Sequence, residues 1–203
     1  IRAELLDALD GFVPETVSQI TSFDETQDAD YIRNLIREAY YDLPAAALGM
    51  PEAQVNLYPD AGSRRVVEVL LTYPEDTKTL QGKRVQLEDA ATDLVEPYRT
   101  GLADRVLASV LFSTLRERSD ADGAAGSTAY HALVEGAADS EGMALAYKEL
   151  CDLTELPCQV VEGDLDGVPH FWTIVTLEEG SFHVDPSRED GILLTDAQMA
   201  QAG

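Results

Sequence analysis

Three apolar runs separated by two very short polar turns constrain this chain more than any other feature. Pro157 to Val161 and Phe171 to Leu177 flank the turn Asp164-Leu165-Asp166-Gly167. Glu178-Glu179-Gly180 then reverses the chain into Ser181 to Asp185. Connections this short join antiparallel neighbours, because a parallel crossover needs a dozen residues or more. The spacing therefore predicts a three-stranded antiparallel meander. Ahead of it, Asp139 or Ser140 can cap a helix that carries Met143, Ala144, Tyr147, Leu150 and Cys151 at helical spacing. A helix followed by a meander makes the fold α+β.

Loop length also decides which side chains share a face. A two- or four-residue turn through Glu178-Glu179 keeps residue parity across the hairpin, so His170, Trp172 and Asp185 project to one side. With the two-residue loop, Asp185 stands opposite Trp172 and diagonal to His170, within side-chain reach. Ser140 sits in the first turn of the preceding helix, where unpaired N–H groups and the macrodipole favour negative charge. That is the layout of a nucleophile, a base and an orienting carboxylate. Each member has a plainer alternative. Ser is a favoured helix cap, and a His-Asp pair can be structural if its burial is offset by hydrogen bonding.

The first half of the chain is mostly helical. Ala3 to Leu9 reads as a short helix ending near Gly11 and Pro14. Asp28 or Asp30 can cap a second, with Ile32, Leu35, Ile36, Ala39 and Tyr40 on one face. Gln54 to Tyr58 and Arg65 to Tyr73 read as strands joined by Pro59-Asp60-Ala61-Gly62-Ser63. Helical patterning returns at Val85 to Val95 and at Leu102 to Leu115, the latter expected to bury Leu102, Val106 and Val110. Ser119 to Gly126 is a loop, and Ser127 to Val134 a short helix. No internal repeat or long linker interrupts the chain. The organisation expected is a helical and β-hairpin part over residues 1–126 and a core over 127–203, together forming one compact unit.

Composition excludes several function classes. The 203 residues carry a formal net charge of −24, and 45% are hydrophobic, which is the balance of a globular chain. Such a polyanion is repelled by phosphate backbones and anionic headgroups, so neither nucleic acid nor a membrane surface is an expected partner. The run Val106-Leu107-Ala108 and Val110-Leu111-Phe112 is broken by Ser109, and nothing approaches the roughly 20 apolar residues of a membrane span. The chain opens Ile1-Arg2-Ala3 without an initiating Met, which reads as trimmed and leaves room for a removed signal peptide or lipoprotein anchor. Cys151 and Cys158, seven apart, do not make a disulfide framework. They are expected as packing residues. His131 and His183 lack zinc-ligand spacing, and Asp164-Leu165-Asp166-Gly167 lacks the twelfth-position Glu of a calcium loop. No cofactor or metal is expected.

The second half also resembles a known family. Ser127-Thr128-Ala129-Tyr130-His131-Ala132-Leu133-Val134-Glu135-Gly136, followed by Ser140-Glu141-Gly142-Met143-Ala144, resembles the nucleophile segment of the transglutaminase-like superfamily. Those enzymes are papain-like, and there the segment reads roughly "sAy-ALv-G-x-x-x-C-x-G-[aromatic]-A". Leu156-Pro157-Cys158-Gln159-Val160-Val161-Glu162-Gly163 resembles the family's "GI-C-x-V-x-G". His170-Phe171-Trp172 resembles its His-x-Trp, and Phe182-His183-Val184-Asp185-Pro186-Ser187 its "W-y-x-V-D-x-T/S". The likeness is close from Ser127 to Gln198 and thin before it.

The resemblance implies a papain-like transglutaminase core, with His170 as catalytic base, Asp185 as the residue that orients it and Trp172 as the aromatic packed behind the His. Gly142 falls on the Gly of the nucleophile motif. Ser140 stands where the family has Cys, and Met143 where an aromatic is usual. A cysteine there is ionised by the helix end and His⁺. A serine hydroxyl is not, and needs an in-line base and a tight oxyanion hole.

Three functions are therefore expected to compete. The first is a degenerate domain, inactive or strongly impaired, whose groove binds a peptide, protein or peptidoglycan-type ligand. The second is an active amide hydrolase or acyltransferase using Ser140. The third is an enzyme whose native Cys has been replaced by Ser in this chain. A secreted or envelope location is expected over a cytoplasmic one. Ala138-Asp139-Ser140-Glu141-Gly142 comes within one residue of the hydrolase elbow G-x-S-x-G. That fold orders its triad Ser, acid, His, the reverse of His170 and Asp185.

Overall fold

The computed structural model describes residues 1–21, 25–59 and 64–201. It resolves into two compact units, Ile1–Gly82 and Lys83–Gly203. The division falls inside a helix at Gly82 and not at residue 126. Residues 83–126, expected to belong with the N-terminal part, pack with the C-terminal half.

The first unit contains α1 (Arg2–Asp10), β1 (Glu15–Ile20), α2 (Glu25–Asp42), β2 (Glu52–Pro59) and β3 (Arg65–Thr72). Its antiparallel sheet has the order β1-β3-β2. Central β3 buries Val67, Val69 and Leu71 on one face, as the period-2 alternation in its sequence requires. These residues share the unit with the buried faces of α1 (Leu5, Ala8, Leu9) and α2 (Ile32, Ile36, Ala39, Tyr40). The sequence carries no signal for β1. It is an edge strand whose polar run Glu-Thr-Val-Ser-Gln-Ile buries only Ser18, so it has no apolar alternation to detect. α2 starts at Glu25, which puts Asp28 and Asp30 inside it and not at its cap. The turn expected at 59–63 lies mostly outside the described residues.

The helix α3 (Thr77–Val95) leads into the second unit, which continues with α4 (Asp104–Arg118), β4 (Asp120–Ala121), β5 (Ala137–Ala138), α5 (Ser140–Leu153), β6 (Cys158–Leu165), β7 (Val168–Leu177), β8 (Gly180–Val184) and α6 (Asp196–Gln201). β6, β7 and β8 form the antiparallel meander, in sequence order. Asp166 and Gly167 both adopt positive φ between β6 and β7, at 54° and 81°. That is the two-residue hairpin whose twist matches its strands. Gly180 begins β8 directly after Glu178-Glu179, opposite Leu177. The short turns therefore do what their length predicts.

α5 packs on β6 and β7 and also on α4. Every residue from Gly142 to Cys151 is buried, so this helix is enclosed on all sides. Each fully buried large side chain such as Met143, Leu145 or Leu150 contributes about 1.5–3 kcal/mol of transfer free energy. Two polar groups carried inside are matched: Tyr147 donates its hydroxyl to the Ala108 carbonyl at 2.9 Å, and Lys148 pairs with Asp152 at 2.8 Å. On α4 the buried face is Leu107, Ala108, Leu111, Phe112 and Leu115. None of the three residues expected on that face is buried: Val106 is 49% exposed, Leu102 is 39% exposed and Val110 is half-buried. Two apolar stripes run along this helix one residue apart, and the packing of α5 and β7 against it chooses between them. Among the described residues, no helix is long and apolar enough to cross a membrane.

Candidate active site

The start of α5 is fixed by its neighbours before any function is considered. Asp139 is the N-cap, accepting the Gly142 N–H at 3.0 Å, and its other oxygen accepts the Ser127 hydroxyl. Ser140 is therefore the first helical residue, and its side chain is released from the capping role considered for it. A Cβ at Gly142 would lie 2.7 Å from the Ala138 Cβ and 2.9 Å from the Thr128 carbonyl oxygen. Only glycine lets the first turn of α5 seat this closely against the 126–138 segment.

From this position the Ser140 hydroxyl reaches the sheet. Its oxygen accepts the backbone N–H of Phe171 on β7 at 3.3 Å. The preceding residue, His170, holds Asp185 through Nε2 to Oδ2 at 2.7 Å. Asp185 is completely buried and follows β8 directly. Its second oxygen accepts both the backbone N–H and the hydroxyl of Ser187, at 3.1 and 2.6 Å. This buried carboxylate is saturated by donors on both oxygens. It orients the ring with Nε2–H towards itself, leaving Nδ1 with the free lone pair of the neutral imidazole. His170 and Asp185 are joined across β7 and the end of β8, in the register that the two-residue hairpin sets (Thr173 opposite Val184 and Leu177 opposite Gly180), and Ser140 meets β7 at the backbone N–H of Phe171.

Trp172 packs alongside. Its ring stacks on His170 at 6.3 Å between centroids and 24° between planes. On β6, a Cβ at Gly163 would fall 2.4 Å from the indole, so this glycine leaves the space the ring occupies. The indole Nε1–H donates to His183 Nδ1 at 2.9 Å, and His183 Nε2 faces Asp196 Oδ1 at 3.0 Å. Sequence reasoning weighs His183 only as a metal ligand and misses this role. The parity that joins Asp185 to Trp172 also puts His183, two residues earlier on β8, on the same face. A cavity of about 360 Å³ opens here, lined by His170, Trp172 and His183 with Leu165, Met199 and Asp164.

The remaining candidates lie elsewhere. Cys151 and Cys158 are buried free thiols. Burial first, then the neighbouring Cys158 thiol, pushes Cys151 well above its ordinary pKa, the opposite of what a nucleophile requires. His131 bonds Thr128 Oγ1 at 2.6 Å and packs over Gly126. Among the described residues, no group of three or more His, Cys, Asp or Glu is arranged to hold a metal ion.

No known family profile matches the chain, and no curated protein does. Among solved structures it is similar to a TGase, with a TM-score of 0.47 and 17% identity over 88% of this chain. The chain spans about half, 52%, of that protein's length. It is also similar to a proposed cysteine protease from Cytophaga hutchinsonii (TM-score 0.43, 11% identity, covering 75% of this chain and 69% of that one). A proposed protease from Parabacteroides distasonis gives 0.37 and 11%, covering 72% and 41%. At these scores the likenesses carry no argument about chemistry. The residues and their geometry have to carry it.

Proposed function

We propose that this chain has a transglutaminase-like amide-bond site in which Ser140 has replaced a thiol. On this reading, ligand binding persists and catalysis is absent or strongly impaired. The single observation that carries it is the buried, donor-saturated Asp185 bonded to His170, with the Ser140 hydroxyl on the backbone N–H of the next residue, Phe171. A structural polar pair has no need of a nucleophile-type side chain at a helix end next to it.

The chemistry argues for impairment. A thiol at position 140 would sit at the positive end of α5 and near His170, both of which favour a thiolate–imidazolium pair. A thiolate attacks the amide carbonyl, forming C–S. The amine then leaves as C–N breaks, taking its proton from the imidazolium, and water or another amine releases the acyl group. A hydroxyl is too weak an acid for that pairing, and here its oxygen already accepts the Phe171 N–H. The ligand expected in the groove is an extended peptide or a peptidoglycan-type amide. A net charge of −24 argues against nucleic acid.

The test has two arms. A fluorophosphonate probe is expected to leave Ser140 unlabelled, and labelling abolished by H170Q would overturn impairment in favour of an active serine hydrolase. In S140C, iodoacetamide is expected to alkylate the introduced thiol rapidly well below pH 8, while Cys151 and Cys158 stay protected in the fold. An alkylation profile matching a free thiol, of pKa about 8.5, would overturn the site itself.

A further inference from the structure

Trp172 is held from two sides by groups outside the triad: Gly163 makes room for its ring, and His183 accepts its indole N–H at 2.9 Å. The same ring stacks on His170. We propose that His183 is a positioning residue that acts on His170 through Trp172, and that it does so only when its imidazole is neutral. The proposal rests on the function proposed above for its catalytic meaning, though not for its structural one.

The neutrality requirement follows from donor counting. Indole Nε1 is a donor only, so His183 Nδ1 must present a lone pair, and its proton sits on Nε2 towards Asp196. Protonation puts a hydrogen on both ring nitrogens, and the Trp172 N–H then faces another N–H. The bond that fixes the indole is replaced by a repulsive contact. The groups that face or share this cavity are Asp196 from α6, His170 and Trp172 from β7, and Asp164 from β6. Asp196 is 98% exposed on its side chain while His183 is 15% exposed, so solvent screens the carboxylate and it orients the ring at little energetic gain. The Trp172–His183 bond is the part that matters. Imidazole is the side chain whose unperturbed charge change falls between about pH 5 and 8, so an acid titration over that range tests the contact.

Trp172 is the chain's single tryptophan, so its emission reads this contact without any assay of activity. On acidification from about pH 8 to 5, wild-type emission is expected to pass through one quenching transition. H183N, whose Oδ1 can take the place of Nδ1 but does not titrate, is expected to lose that transition, while H170Q keeps it. No transition in the wild type, or one that follows His170 and survives in H183N, would overturn the proposal.

A second readout tests the link to His170. In S140C at pH 7, adding H183L is expected to slow alkylation about tenfold, the kinetic equivalent of one lost hydrogen bond. Adding H183N is expected to slow it less. Equal rates in S140C, S140C/H183L and S140C/H183N would overturn the positioning role. A thiol of ordinary pKa in S140C itself would instead count against the proposed function, and the emission titration would still decide the His183–Trp172 contact.

Discussion

Two imidazoles on neighbouring strands each face an aspartate, and burial separates them. His170 meets Asp185 at 2.7 Å with the carboxylate at 0% exposure, while His183 meets Asp196 at 3.0 Å with the carboxylate at 98%. In the first pair the carboxylate is removed from water and held by Ser187 as well, so the geometry is over-determined. In the second, water competes for every lone pair. The same residue types at similar distances therefore make a rigid device on one strand and an adjustable one on the next. Burial and the count of donors set the difference; residue identity does not.

The largest expected effect comes from breaking the rigid pair. D185A leaves the donors of His170 and Ser187 without their acceptor, and is expected to lower stability by about 3 kcal/mol, read from the urea midpoint at constant m-value. A midpoint close to that of the parent would mean that the pair adds little to the fold.

Glu149 sharpens the comparison, because it is a carboxylate buried without such a saturating set of donors. Desolvation is the main cause and Asp152 and Glu88 add to it, against smaller opposing effects of Lys148 and Arg84, and together they raise its pKa from 4.5 to about 7. The folded state therefore keeps a proton that the unfolded chain has already lost. Stability from this group is full below about pH 4.5 and is lost as pH rises through about 7, a change of about 3 kcal/mol at most. E149Q is expected to flatten that slope and to be more stable than the parent at pH 8. A parallel pH dependence in the two proteins would refute it.

A smaller effect is expected at Gly163. G163A forces the Trp172 ring to move or its strand to shift, at a cost of about 1–2 kcal/mol, with a change in tryptophan emission at neutral pH. The smallest belongs to the exposed pair: D196N is expected to leave the urea midpoint indistinguishable from the parent. A clear loss there would erase the contrast between the two histidines.

Much of the fold around the two histidines is legible in the amino-acid order. Glu178-Glu179 and Asp166-Gly167 are local signals, and a two-residue loop leaves one antiparallel register. Parity alone brings His170, Trp172 and Asp185 to one face, and the α+β order of helix then meander follows from the same turns. Asp139 and Ser140 are equally good caps by residue type. Hydrogen-bond geometry gives the role to Asp139 and leaves Ser140's hydroxyl to the sheet.

What the sequence by itself determined was therefore periodic or short-range: the turns, the strand parity, the helix before the meander and the order of the three polar residues. Tertiary structure alone decided which stripe of α4 is buried, that β1 joins a sheet through a polar edge, that residues 83–126 pack with the C-terminal half, and that His183 holds the indole. Each of these depends on what occupies the space on the far side of a residue. Hydrogen bonding and burial are set by partners distant in the chain, and no local pattern records them.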